Sequence, residues 1–253
     1  MISQDTRAAT IGGSGDVPRD FRNEDLVTAL PQQPQRESGD ESAETPFDQA
    51  EFVVVDLETT GTGPARGDRV TEAAAVLVRG REVEPLFSSL VNPGQPIPDF
   101  ITQLTGISDA MVSSAPTFRE IAGELAAHLA GRVFVAHNAA FDWGFLDAEF
   151  SRVAPGGLAS IVTQRLCTVR LARRVLRHLP RRNLDAVCAY YGIGNEGRHR
   201  AAGDAHATAR VLVKLLQDAE RAGLYTVESL ARYARPRVRR TAMPRFSDGA
   251  DGA

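Results

Sequence analysis

"VVVDLETTG", residues 53–61, is a short apolar run that ends in two carboxylates one residue apart and a glycine turn. A valine-rich run of this length suits a strand buried on both faces. Side chains alternate along a strand, so Asp56 and Glu58 share one face and Leu57 points to the other. At a rise of about 3.3 Å per residue, their Cα atoms lie roughly 6–7 Å apart. Two ionised carboxylates held that close on a buried strand repel each other and are poorly solvated. Protonation relieves the conflict, and so does a cation between them. The plainer alternative is a strand that ends in water ahead of Gly61, and the pair alone does not separate the two.

Around this strand the pattern is mixed α/β. Residues 69–80 (RVTEAAAVLVRG) read as a second strand, and 82–94 (EVEPLFSSLVNPG) as a third nearer the edge, closed by an Asn-Pro-Gly turn. A short helix is expected within 98–108, and a longer amphipathic one over 117–131 that stops at Gly131. "RVFVAHN" (132–138) is a buried strand leading into a helix over 139–153, and 159–176 starts extended and turns helical. Helices over 183–193, 203–223 and 226–234 complete the pattern. Three strands in succession, then alternating helices and strands, predict a mixed sheet flanked by helices in one domain over 50–235. Residues 1–49, rich in Gly, Pro and Gln, and 236–253 are expected to be disordered tails, because they cannot bury enough surface to offset ordering entropy.

The net charge of -3 conceals an uneven distribution. Residues 1–50 hold 10 acids against 4 Arg, leaving 22 acidic and 25 basic residues in the rest. "RLCTVRLARRVLRHLPRR" (165–182) carries seven Arg and no acid, and "RYARPRVRR" (232–240) is a second basic run. A basic stripe is most often a solvated helix face, but clusters this free of acid point toward a polyanionic partner. No apolar stretch approaches the roughly 18 residues of a membrane span, and the N-terminus lacks the pattern of a secretory signal. Cys167 and Cys188 have no C-x-x-C spacing, which argues against a zinc site or a disulfide framework and for a reducing, cytoplasmic setting.

Two further segments carry chemistry. In "VAHNAAFDWGFL" (135–146) a strand ends at Ala136 and Asp142 falls at the start of the next helix, where an Asp is commonly structural. In "GRHRAAGDAHATA" (197–209), His199 and Asp204 lie five positions apart, a turn of about 500° if helical, so they share no helix face. Gly203 instead suggests that His199 rides a loop and that Asp204 opens the long helix. His137 reads as a brace at the strand end, and His206 faces away from Asp204.

Together, "DLETTG", "HNAAFD" and H-x-x-x-x-D occur in the order of the DnaQ-like 3'–5' exonucleases of the DEDDh type, and the chain resembles that family over roughly residues 50–220. Within it, the chain is similar to the epsilon-type proofreading subunits of bacterial DNA polymerase III. The resemblance implies an RNase H-like fold with a central mixed five-stranded sheet. It implies that Asp56, Glu58, Asp142 and Asp204 hold two divalent cations, and hard oxygen ligands favour Mg²⁺ or Mn²⁺. It implies His199 as general base, Thr59 and Thr60 as contacts to the terminal nucleotide, and Thr105 and Ile101 as a weaker wall of the same pocket. The implied reaction releases nucleoside 5'-monophosphates from the 3' end of single-stranded or frayed DNA in proofreading or repair, beside polymerase or repair proteins. RNA 3' ends are the alternative substrate, and a non-catalytic module of a polymerase or repair complex is the alternative class. Intact acids and histidine argue against the last.

Overall fold

The computed structural model describes residues 44–195 and 197–234; of the tails expected over 1–49 and 236–253, residues 1–43 and 236–253 lie outside the described residues. Five strands, β1 (Glu51–Thr59), β2 (Val70–Arg79), β3 (Glu82–Leu90), β4 (Val133–Ala136) and β5 (Arg165–Cys167), form one sheet in the order β3-β2-β1-β4-β5. β2 is antiparallel to both β1 and β3, whereas β4 is parallel to both β1 and β5. The mixed five-stranded sheet is therefore present, with β1 at its centre and β3 at an edge.

Eight α-helices surround it: α1 (Asp99–Thr105), α2 (Asp109–Val112), α3 (Phe118–Leu129), α4 (Ala140–Val153), α5 (Thr168–Val175), α6 (Leu184–Tyr191), α7 (Ala201–Arg221) and α8 (Val227–Ala234), counted among the described residues. The sequence reading did not foresee α2 as a separate helix, nor the 3₁₀ turns at Pro64–Arg66 and Leu158–Ser160. Elements of three or four residues are too short to show a hydrophobic period. α3 shows the opposite case. Phe118, Ile121, Ala122, Leu125, Ala126 and Leu129 bury one stripe, and the Thr117 N–H donates to Glu120 Oε2 at 2.7 Å in a capping box.

The alternation of β1 decides what lies on each side of the sheet. Phe52 and Val54 enter a core shared with Leu171, Val187, Leu212 and Leu230 of α5 to α8. Val53, Val55 and Leu57 enter the other, with Leu125 and Leu129 of α3 and Phe145 and Leu146 of α4. On β2, Ala74, Val76 and Val78 join the first core, and Ala73, Ala75 and Leu77 the second. By parity, Asp56 and Glu58 of β1, with Glu72 of β2, continue the series that faces α7. The N-terminal part of α7 buries Ala201, Ala205, Ala207 and Ala209, small side chains that let its backbone approach the sheet.

One domain boundary differs from the expectation. Residues 44–49 were assigned to the disordered tail, yet Phe47 is buried in the core beside Val227 and Leu230. Its N–H donates to the Tyr225 carbonyl at 3.0 Å, and the Val227 N–H donates to the Thr45 carbonyl at 2.9 Å. Burying one phenylalanine contributes about 1.5–3 kcal/mol, enough to order so short a segment against α8. That slot is built by residues some 180 positions downstream, which local composition cannot reveal.

Candidate active site

The centre of the sheet, the N-terminal turn of α7 and the N-terminal turn of α4 converge at the end of β1. Asp56, Glu58 and Asp204 are each half-buried, and one carboxylate oxygen from each lies within 4.8 Å of the others. Asp204 does not open its helix as the sequence reading expected. α7 starts at Ala201, and the Asp204 N–H already donates to the Arg200 carbonyl at 3.0 Å. Its carboxylate is held from outside the helix, Oδ2 accepting the His199 N–H at 3.0 Å and Oδ1 accepting from Asn195 Nδ2 at 3.1 Å.

Asp142 stands in the first turn of α4 and is buried. Its carboxylate accepts the backbone N–H of Leu57, the residue between Asp56 and Glu58, as well as its own. All four acids are thus assembled at one strand end. His199 sits on the loop before α7 with φ of +60°, a left-handed conformation uncommon for a residue with a side chain.

The electrostatics follow from this crowding. Burial, then repulsion from Asp142, Asp204, Glu58 and Glu72, hold the Asp56 carboxyl well above the usual carboxylate range. Burial and the neighbouring Asp204 and Glu72 push Glu58 up to about 7, against a partial pull downward from Arg200. Burial pushes Asp142 up to about 8, although the two N–H donors oppose it. Three oxygens this close, with Asp56 and Glu58 penalised for being ionised, are a donor set that fits a hard divalent cation.

This arrangement gives a pH dependence whose sign can be worked out. Between about pH 4.5 and 8 the folded carboxyls keep protons that the unfolded chain has released, so stability of the metal-free protein falls as pH rises through that window. His137 acts in the opposite sense. Burial holds its imidazole at about 4, so its contribution is present above the ordinary histidine value and is lost as pH falls from about 6.5 toward 4. Above about pH 6.5 only the carboxyls contribute among these groups. The melting temperature of the metal-free protein is therefore expected to fall between about pH 6.5 and 8.5, and added Mn²⁺ to raise it more at the upper pH. A Mn²⁺-induced shift that is equal at both pH values, followed by calorimetry, would contradict the carboxylate cluster.

The remaining expected positions are placed as follows. Thr59, the last residue of β1, and Thr60, in the turn that follows, are both buried. The Thr59 hydroxyl donates to the Gly61 carbonyl at 2.5 Å. The Thr60 hydroxyl accepts the Arg69 N–H at 3.0 Å and Gln95 Nε2 at 2.9 Å, which fills its acceptor sites and leaves its own O–H to donate. Ile101 and Thr105 are buried on α1, where Thr105 Oγ1 donates to the Ile101 carbonyl at 3.0 Å. The same helix exposes Phe100 and Leu104, which the sequence reading passed over. His137 bonds Thr168 Oγ1 through Nδ1 at 2.8 Å and the Arg182 carbonyl through Nε2 at 3.0 Å, as a brace does. Glu72 and Arg200 were also missed, because 128 positions separate them and neither belongs to a spaced motif.

A family model described as Exonuclease matches residues 53–212. The chain belongs to the exonuclease family. A DNA polymerase III subunit epsilon-like protein of Rhodobacter capsulatus is 40% identical over 188 residues, covering 73% of this chain and 26% of that protein. The 3'–5' exonuclease DinG of Bacillus subtilis is 35% identical over 181 residues, covering 72% of this chain and 19% of that protein. The exonuclease chain thus spans about a quarter or less of those relatives' lengths. Among solved structures, Exonuclease X in complex with 5'-overhanging duplex DNA matches with a TM-score of 0.53 and 27% identity, over 73% of this chain and 99% of that one. The mixed five-stranded sheet flanked by helices is an RNase H-like exonuclease fold. Among the described residues no helix is long and apolar enough to cross a membrane.

Proposed function

We propose that this chain is a 3'–5' exonuclease of the DEDDh type that removes nucleoside 5'-monophosphates from the 3' end of single-stranded or frayed DNA, in proofreading or repair. The convergence of Asp56, Glu58 and Asp204 within 4.8 Å, with His199 on the adjoining loop, carries this reading. These three carboxylates, with Asp142 beside them, would hold two divalent cations, Mg²⁺ or Mn²⁺. When bound, such ions supply Lewis-acid stabilisation to the attacking and leaving oxygens of a phosphodiester. His199 accepts the proton of the attacking water at an imidazole nitrogen, a task worth about 10²–10⁴ in rate. The free O–H of Thr60 donates to the terminal sugar, and Thr59 sets the turn that presents it. Ile101 and Thr105 shape α1 from inside, so that the exposed Phe100 and Leu104 offer an apolar surface for the terminal base.

Support for a nucleic-acid track comes from the acid-free stretch. Arg165, Arg170, Arg173, Arg177 and Arg181 are exposed, and among the described residues none of them forms a salt bridge. Arg165 and Arg170 line an open groove of about 550 Å³ that also touches Ala139 and Ala140, at the N-terminus of the helix carrying Asp142. Guanidinium groups in a row bind backbone phosphates without regard to sequence. DNA is favoured over RNA because the 27%-identical Exonuclease X was solved with DNA. Polymerase or repair proteins are proposed as partners, by analogy with the epsilon-like relative.

A time-course on 5'-labelled single-stranded DNA and RNA of one sequence, with Mg²⁺ or Mn²⁺, tests the reading. The expected result is a ladder shrinking from the 3' end, faster on DNA and absent in Asp56→Asn. A faster ladder on RNA would reassign the substrate, and no ladder on either would overturn the enzymatic reading in favour of a binding module.

A further inference from the structure

The loop that carries His199 is short, strained and tied to the sheet at one point. Gly197 and His199 both adopt left-handed φ, +82° and +60°. For a residue with a side chain this conformation is uncommon and persists only when surrounding contacts over-determine it. The Arg200 N–H donates back to the Gly197 carbonyl at 3.1 Å, and the His199 N–H donates to Asp204. Both contacts are local, so by themselves they leave the loop free to move with the end of α7.

Beyond this local set, Arg198 pairs with Asp185 of α6 at 2.7 Å, and among the described residues the tie to the sheet is Glu72. Its carboxylate, buried on β2, accepts Arg200 Nε at 3.0 Å and Nη2 at 2.7 Å in a two-point fork. It also accepts the Ala201 N–H at 2.9 Å, so it satisfies the first backbone donor of α7, whose own N-cap residue, Arg200, supplies no side-chain cap. In the β1–β2 register Glu72 is directly opposite Glu58, on the same face. One carboxylate therefore references the His199 loop and the start of α7 to the strand pair that carries Asp56 and Glu58. A bidentate carboxylate–guanidinium pair fixes direction as well as distance, which a single ammonium contact does not.

We propose that Glu72, through its fork with Arg200 and its bond to the Ala201 N–H, is a positioning residue that sets the placement of His199 and Asp204 relative to Asp56 and Glu58. The inference rests on the reading of His199 as the base. Glu72 touches neither substrate nor reacting atoms in this role. Apart from its repulsion of Asp56 and Glu58, its effect reaches the reaction through the loop, so it belongs to the turnover step more than to substrate capture.

The experiment compares the full chain with Glu72→Gln, Arg200→Lys, Arg200→Ala and His199→Gln variants, by single-strand hydrolysis and by amide hydrogen exchange of the metal-free, substrate-free protein. Glu72→Gln keeps shape and burial but gives up the ionic fork, and is expected to lower kcat about 10- to 100-fold with KM little changed. Amide exchange at His199 and Ala201 is expected to accelerate by a comparable factor, while β1 amides keep their protection. Arg200→Lys is expected to fall between wild type and Glu72→Gln in both readouts. Added ethylguanidinium is expected to restore part of the activity of Arg200→Ala. Unchanged exchange at His199 and Ala201 in Glu72→Gln would overturn the proposal, as would a loss confined to KM. If Glu72→Gln lost β1 protection as well, exchange and ethylguanidinium rescue in the Arg200 variants would decide, and no effect there would likewise overturn it. Full activity in His199→Gln would instead sink the reading of His199, separately from any change in exchange caused by Glu72.

Discussion

Asp56→Asn is expected to abolish hydrolysis and, in the same protein, to raise the melting temperature measured without metal. Asp56 is the acid whose carboxyl is pressed upward by the most neighbours, namely Asp142, Asp204, Glu58 and Glu72 after burial itself. Asparagine keeps its shape while removing the charge that the other four repel. Each kcal/mol so relieved raises the melting temperature by roughly 2–4 °C in a domain of this size. The cost appears in the chemistry. A bound Lewis acid is worth several kcal/mol of transition-state stabilisation, and about 1.36 kcal/mol is tenfold in rate, so the loss is expected to reach about 10³-fold or more. The two halves check each other, by calorimetry in chelator and by hydrolysis in Mn²⁺. An Asp56→Asn protein less stable than wild type without metal would show that the carboxylate is structurally satisfied and that the cluster does not repel.

His199→Gln is expected to lower kcat by about 10²–10⁴-fold while leaving cation-induced stabilisation intact. The physical basis is a division of labour between side chain and backbone. The backbone N–H of His199 donates to Asp204 and helps to shape the acidic cluster. Glutamine retains that N–H but brings no group able to take up a proton near neutral pH. Mn²⁺ should therefore still raise the melting temperature of His199→Gln as it does that of wild type. A variant that lost this response together with activity would assign His199 to cation binding and not to proton transfer. One that kept near-normal kcat would remove it from the mechanism.

Sequence and structure divide in an instructive way. The alternation in "FVVVDLE" predicts a central strand with two acids on one face, and β1 is that strand. The stripe of α3 and its Thr117–Glu120 capping box are equally legible, since both follow from a helical period and a three-residue spacing. The placements expected for Asp142, at a helix start, and for His199, on a loop, match the structure for a similar reason, since a buried strand followed by a helix start, or a glycine-flanked loop, is a local pattern. The start of the helix carrying Asp204 was placed two residues late, at 203 in place of 201, because Ala201 and Ala202 continue a helix as readily as they precede one.

What remained illegible is non-local. Phe47 looked like part of a polar tail until α8 supplied its slot. Glu72 looked like one acid in an alanine-rich strand until Arg200, 128 positions on, closed a fork around it. Phe100 and Leu104 looked like helix-forming residues, and only the packing of α1 through Ile97, Ile101 and Ile107 shows that those two are left facing water.

By itself, then, the sequence determined the α/β class, the central strand with its paired acids and the ordered set of acids and histidine, because backbone sterics and side-chain periodicity act within a few residues of each other. Only the tertiary structure decided that these carboxylates share one cluster, that their repulsion holds protons to near-neutral pH, and that a buried glutamate ties the histidine loop to the sheet. Each of those depends on distances and desolvation between segments that meet only when the chain has folded.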